Sequence, residues 1–182
     1  MFLMLGTIYA ILGLVAVIMI REPHDSLSEN NRKARWVEED QNHPPHRHRF
    51  KTYGQVMSRE TLSGRCYYEV QCSGWAAVAV AHGEYYTQVG DSGFGLNDKS
   101  WSLFCDGDDK SYSVIHINNL TKLRVSSSSY SNRVAVYVDH AAGTVSFYTV
   151  SSDTLTHLHT FQSTFTKPLY AGFCVWWGSV SL

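Results

Sequence analysis

Residues 133–139, RVAVYVD, limit the architecture more than any other stretch of this sequence. Side chains alternate along an extended chain, so Val134, Val136 and Val138 share one side while Ala135 and Tyr137 share the other. A strand that is apolar on both sides must be covered on both sides, which makes it central in a packed sheet. Residues 144–150, TVSFYTV, follow after His140-Ala-Ala-Gly143, and the two runs read as a hairpin.

The same grammar continues on either side. Residues 66–72 (CYYEVQC) and 75–81 (WAAVAVA) read as two strands separated by Ser73-Gly74, and residues 112–117, 155–161 and 169–177 read as further strands. Beyond residue 60 no stretch keeps a 3.6-residue period over three turns, while β-branched and aromatic residues dominate. Many short strands at near-regular spacing predict an all-β chain folded as a two-sheet antiparallel β-sandwich. Aromatic residues at 13% give such a chain ample apolar surface to bury, which excludes disorder. A net charge of −1 argues against a nucleic-acid partner. Cys66, Cys72, Cys105 and Cys174 form no CxxC pair, and they are expected as buried free thiols.

Residues 2–20, FLMLGTIYAILGLVAVIMI, carry no charge. As a helix they span about 28 Å, close to the hydrocarbon thickness of a bilayer, and one transmembrane helix is expected to precede the sandwich. A cleaved signal peptide fits less well, because no basic residue precedes the run and no small-x-small site closes it. Arg21, Arg32, Lys33 and Arg35 follow it, so the positive-inside rule faces the remaining chain to the cytoplasm. Residues 21–26 are read as a short linker.

Catalytic and metal-binding patterns are thin. No GxSxG elbow is present to build a nucleophile. His43, His46 and His48 cluster, but Arg47 and Arg49 would repel a cation, and His157 with His159 lack partners of ligand spacing. Asp106-Gly-Asp-Asp109 lacks the sixth-position glycine and twelfth-position glutamate of a calcium loop. Gly93-Phe-Gly95 has no helix after it to receive a phosphate. No enzyme, metal or cofactor is therefore expected. Asn119-Leu-Thr121 is a glycosylation sequon that matters only on a lumenal chain.

Five segments carry a family resemblance. They are Leu27-Ser-Glu-Asn-Asn-Arg-Lys33, the run from Gln55 through LSGRCYYEVQ to Gln71, residues 94–103 (FGLNDKSWSL), Val136-Tyr-Val-Asp139 with Gly143-Thr-Val-Ser-Phe-Tyr148, and Pro168-Leu-Tyr-Ala-Gly-Phe173. In that order they resemble the PRY–SPRY domain, in particular the copies in fish NLR-type receptors, tripartite-motif proteins and stonefish-toxin-like proteins. Two departures stand out. The usual "LDP" opening is reduced to Asp25, and the "WEVE" strand has Tyr68 and Gln71 in place of its tryptophan and last glutamate.

The resemblance implies a concanavalin-like jelly roll with PRY over residues 27–63 and SPRY over residues 64–182. It also implies a binding module that takes a protein or peptide ligand through loops at one end of the sandwich. The corresponding loops are residues 104–111, 126–132 and 174–178. Phe104, Trp176 and Trp177 are the candidate aromatic anchors, with core packing as their competing role, and Asp106, Asp108 and Asp109 are the candidate selectors of a basic ligand. The expected function is a membrane-tethered ligand-capture module in innate immune signalling. Two alternatives stay open. One is a soluble, cytoplasmic carboxy-terminal piece of a larger receptor or ubiquitin ligase, with residues 2–20 joined from a wrong exon; the other is a secreted toxin-like domain.

Overall fold

The computed structural model describes residues 16–17, 25–29, 32–37, 50, 53–83 and 93–182. These form twelve strands: β1 Ala16–Val17, β2 Asp25–Ser28, β3 Lys33–Trp36, β4 Gln55–Leu62, β5 Arg65–His82, β6 Ser100–Asp106, β7 Ser111–His116, β8 Asn119–Lys122, β9 Arg133–Asp139, β10 Thr144–Ser151, β11 Thr154–Gln162 and β12 Leu169–Ser181. Every pairing is antiparallel, and one ladder runs β1-β4-β12-β5-β6-β7-β8.

The ladder doubles over because β5 and β12 are long enough to serve two layers. Residues 65–71 of β5 pair with β9, while residues 75–81 pair with β6. β12 likewise pairs with β4 through residues 169–174 and with β3 through residues 179–181. The first layer therefore holds β1, β4, β6, β7 and β8, and the second holds β2, β3, β9, β10 and β11. Between them the Tyr112 hydroxyl of β7 lies 2.8 Å from Thr149 Oγ1 of β10, and His116 of β7 sits 5.7 Å from the Phe161 ring of β11.

Glycine makes the fold-over possible. Gly74 sits opposite Gly178 at the crossing, with φ at +64°, a left-handed conformation that costs other residues about 1–2 kcal/mol. A Cβ on Gly74 would strike the Trp177 carbonyl, and one on Gly178 would strike that of Ser73. Ser73-Gly74 is thus a bend inside one continuous strand, not the break between two strands that the sequence suggests. Similarly, residues 174–178 are not a loop. They lie within β12, with Cys174 opposite Ala77 and Trp177 opposite Trp75.

The central core lies between the layers, and β9 contributes Val134, Val136 and Val138 to it, packed with Phe147, Trp101, Leu103 and Phe173, while Ala135 is buried on the other side of the strand. A second cluster lies on the outer face of the first layer, where Phe50 and Phe94 meet edge to face at 5.8 Å over Met57, Ala77, Ala79 and Ala81. Small residues on that face of β5 leave room for the two rings. All four cysteines are buried free thiols, as expected.

Two expectations at the amino-terminal end need correction. Ala16 and Val17, placed inside a transmembrane helix by hydropathy, pair instead with Ser58 and Met57 of β4, because an unsatisfied sheet edge accepts any extended apolar segment. Asp25 and Ser26, read as linker, belong to β2 and pair with β3. The other residues of the 2–20 segment lie outside the described residues. Among the described residues no helix is long and apolar enough to cross a membrane.

Candidate ligand-binding surface

Alternation along β6 sends Trp101, Leu103 and Cys105 into the central core and Ser102, Phe104 and Asp106 to the outer face. The register then sets Phe104 beside Ala77, and Trp75 beside Asp106 on one flank and Trp177 on the other. A bulge between Val175 and Trp177 brings two consecutive tryptophans toward one side of β12. The outcome is four adjoining rings. Trp75 meets Phe104 at 5.8 Å and 90°, and Trp177 at 6.4 Å and 73°. Phe104 meets Trp176 at 5.4 Å and 63°. Edge-to-face rings hold one another in place and add about 0.5–1.5 kcal/mol per pair beyond burial.

Trp177 is 63% exposed and Trp75 38%, whereas Phe104 and Trp176 are half-buried. Phe104, Trp176 and Trp177 are thus brought together, but as strand residues rather than loop residues. Trp75 completes the cluster and was missed by sequence reasoning, which assigned it to a strand without asking which end of the sheet that strand met. The signal was there: one bulky ring heads a run of six small or β-branched residues.

The acidic candidates divide. Asp106 is buried, and its Oδ1 accepts the backbone N–H groups of Asp108 (3.1 Å) and Asp109 (2.9 Å), closing the β6–β7 turn. Asp108 and Asp109 are exposed and carry the negative charge outward beside the rings. The 126–132 segment flanks the same end. It contains a 3-10 turn at Ser127–Ser129, and Tyr130 stacks on Tyr112 at 4.8 Å. The Tyr112 hydroxyl donates to the Ser131 carbonyl (2.5 Å) and accepts the Ser131 N–H (3.0 Å), which pins the segment to the core.

Nucleophilic chemistry finds little support among the described residues. Burial raises the Cys66 thiol, and a hydrogen bond with Cys72 together with burial raises Cys105 well above its ordinary value. Thiols so held are poor nucleophiles. The Phe94 N–H donates to Gln55 Oε1 (2.8 Å) and the Gly95 N–H to Ser100 Oγ (2.7 Å), so these turn amides face protein acceptors rather than a phosphate. His157 Nε2 lies 2.8 Å from Thr160 Oγ1, and His159 packs 4.4 Å from Phe161, with burial first and His157 second lowering its pKa. His43, His46 and His48 lie outside the described residues. Asn119 is exposed at the start of β8.

Comparison with known proteins places this geometry in context. The SPRY domain model matches residues 65–181. The chain is 38% identical over 153 residues to stonustoxin subunit beta of Synanceia horrida, covering 82% of this chain and 21% of that protein. It is 32% identical over 155 residues to tripartite motif-containing protein 16 of Mus musculus, covering 81% and 26%. The stonustoxin structure superposes with a TM-score of 0.80 at 33% identity, over 92% of this chain and 26% of that one. The TRIM65 PSpry domain superposes at 0.79 with 22% identity, over 93% and 88%, a likeness of fold alone. The chain thus spans about a fifth of the length of the toxin subunits it matches.

Proposed function

The chain belongs to the SPRY domain family, whose members are protein-interaction modules, and we propose that it captures a protein ligand on the surface formed by Trp75, Phe104, Trp176 and Trp177. The single observation behind this reading is the exposure of two mutually packed tryptophans at one end of the first layer. Large rings held rigid by neighbours lose little entropy on binding, and such residues dominate interface energetics. Asp108 and Asp109, with Asp106 closing their turn, favour a ligand segment that carries Lys or Arg beside an apolar residue.

The test is selection from a random peptide library on the immobilised full-length chain. Basic–apolar motifs are expected to be enriched, and Trp177→Ala or Trp75→Ala to abolish the enrichment. Unchanged enrichment in both variants would remove the surface from consideration.

The uncharged run 2–20, followed by Arg21, Arg32, Lys33 and Arg35, supports membrane attachment with the domain facing the cytoplasm, and only the resemblance to receptor and tripartite-motif copies supports a role within innate immune signalling. A spanning helix needs the whole run, since residues 2–15 alone reach about 21 Å against a hydrocarbon core of about 30 Å. Ala16 and Val17 must then leave β4 for the helix, so strand pairing and insertion compete. Protease protection and glycan addition at Asn119 in microsomes would reverse this orientation. A secreted, toxin-like role is the second reading, favoured by the 38% identity to stonustoxin subunit beta.

A further inference from the structure

The bend in β5 that sets Trp75 at the surface also brings two thiols together beneath it. Cys72 lies just before Gly74, and its N–H donates to the Asn132 carbonyl at 2.7 Å. Cys105 lies on β6 in the first layer, opposite Ala76 beyond the bend and opposite Tyr112 of β7. Both side chains belong to the central core, at 1% and 0% exposure, and the two thiols share a hydrogen bond there. The remaining cysteines lie elsewhere. Cys66 Sγ donates to the Ser63 carbonyl at 3.1 Å near the start of β5, and Cys174 belongs to the outer cluster.

The 126–132 segment closes over the pair. Tyr130 packs on the central core and stacks on Tyr112 at 4.8 Å. Burial first and Cys105 next raise its hydroxyl above the ordinary value, so the ring stands beside that thiol. Ser131 is held by the Tyr112 hydroxyl, and Asn132 by the Cys72 N–H. Residues 126–129 are exposed, and the Ser126 hydroxyl bonds those of Ser128 and Ser129. The cover thus rests on Tyr130, Ser131 and Asn132, and lifting so short a segment costs less than unfolding the sandwich.

We propose that Cys72 and Cys105 are a disulfide-forming pair, oxidised by a small-molecule disulfide such as oxidised glutathione when the 126–132 segment lifts. One cysteine loses its proton and attacks a sulfur of the small disulfide, releasing one small thiolate and leaving a mixed disulfide. The second cysteine, deprotonated in turn, attacks the protein sulfur of that mixed disulfide and releases the other small thiolate. The two thiolates take up the two protons, so the pair gives up two electrons and one small disulfide becomes two thiols. Closure brings the sulfurs from hydrogen-bond contact to about 2.05 Å. In the closed fold the hydrogen bond with Cys72 and burial keep Cys105 protonated, so the step waits on opening. A chain facing the cytoplasm keeps the pair reduced, and a secreted chain closes it.

The full-length chain is equilibrated with oxidised glutathione, quenched in acid, unfolded and alkylated with N-ethylmaleimide, and its mass and digest are read by mass spectrometry. Two of the four thiols are expected to escape alkylation, in one linked pair of peptides carrying Cys72 and Cys105. The oxidised chain is expected to melt at a higher temperature, and dithiothreitol to reverse the shift. Cys72→Ser should abolish the linked pair, while Cys66→Ser and Cys174→Ser should leave it in place. Tyr130→Ala, which removes the stacked ring, is expected to speed closure about tenfold by easing the opening. Four alkylated thiols at equilibrium, separate glutathione adducts on the two cysteines, or a link that joins other cysteines overturns the proposal. Closure no faster in Tyr130→Ala than in the parent overturns the covering role of the segment.

Discussion

Replacing Tyr112 with phenylalanine removes one oxygen that joins three chain segments. The hydroxyl donates to the Ser131 carbonyl at 2.5 Å, accepts the Ser131 N–H at 3.0 Å and lies 2.8 Å from Thr149 Oγ1. The ring stays, so no cavity opens and packing on Tyr130 persists. Ser131 is half-buried, and water restores part of what it loses. Thr149 is only 2% exposed, so its hydroxyl is left without that partner in a dry site. One or two lost neutral hydrogen bonds at about 1 kcal/mol each, plus about 1 kcal/mol for the stranded hydroxyl, give a loss of about 2–3 kcal/mol. Urea unfolding should show the midpoint falling with the slope unchanged. Replacing both partners with apolar shapes, Tyr112→Phe with Thr149→Val, removes the stranded group and should recover about 1 kcal/mol of the summed single losses. A Tyr112→Phe chain within about 0.5 kcal/mol of the parent, or strict additivity in the double variant, would refute the claim that this hydroxyl ties β7, β10 and the 126–132 segment together.

Phe147, fully buried and edge-on to Phe161 at 6.2 Å, should cost about 3–5 kcal/mol on truncation to alanine, measured by the same urea titration. Gly74→Ala should cost more than about 2 kcal/mol, from left-handed strain plus the collision with the Trp177 carbonyl, and should also weaken library enrichment by shifting Trp75 against Trp177. The alkaline limb of stability follows from Cys66 and Cys105, whose thiols are raised in the fold. Their protonated forms are retained when folded, so stability is level below the ordinary thiol value and falls as pH rises from there toward the folded values. Chemical denaturation midpoints between pH 7 and pH 10.5 should bend downward near pH 9, the ordinary value of a free thiol, and Cys66→Ser with Cys105→Ser should flatten that bend.

Strand identity was legible in the sequence wherever two-residue alternation was undisturbed. β9, β10 and β11 fall within a residue or two of the runs that alternation marks, because both faces of those strands report their surroundings. Alternation is blind to a bend. Ser73-Gly74 has the chemistry of a turn, and only the facing Gly178 reveals that two strands cross there instead of ending. The loop reading of residues 174–178 came from the family resemblance, against the strand that the local pattern marks at 169–177 and that β12 contains. Of the candidate anchors, Phe104, Trp176 and Trp177 were recognised by ring size, but their neighbour Trp75 is set beside them by a register that no local pattern encodes. Asp106 illustrates the opposite limit. Its composition suggests a ligand contact, while its depth and two N–H partners make it the clasp of the turn that presents Asp108 and Asp109.

The crossing of β5 over β12 accounts for why an aromatic surface stands at one end of this sandwich and not at the other. Where both strands pass between layers, the ladder is narrowed to a Gly74–Gly178 contact, and the strands leave it with their outer faces turned away from the core. Residues next to the crossing, Trp75 and Trp177, cannot reach either core cluster and so remain partly exposed while packing on each other. At the opposite end nothing crosses. The layers are joined there by short turns whose backbone groups already bond one another, Gly64 with His140 among them, and the space between the turns is left to side chains. A substitution at the crossing should therefore disturb the rings, and one in the β9–β10 turn should leave them in place. Gly74→Ala and His140→Ala, each measured against the peptide library, test that separation. Loss of enrichment in both, in chains that still melt cooperatively, would mean the two ends are coupled through β5, and the account of independent ends would be wrong.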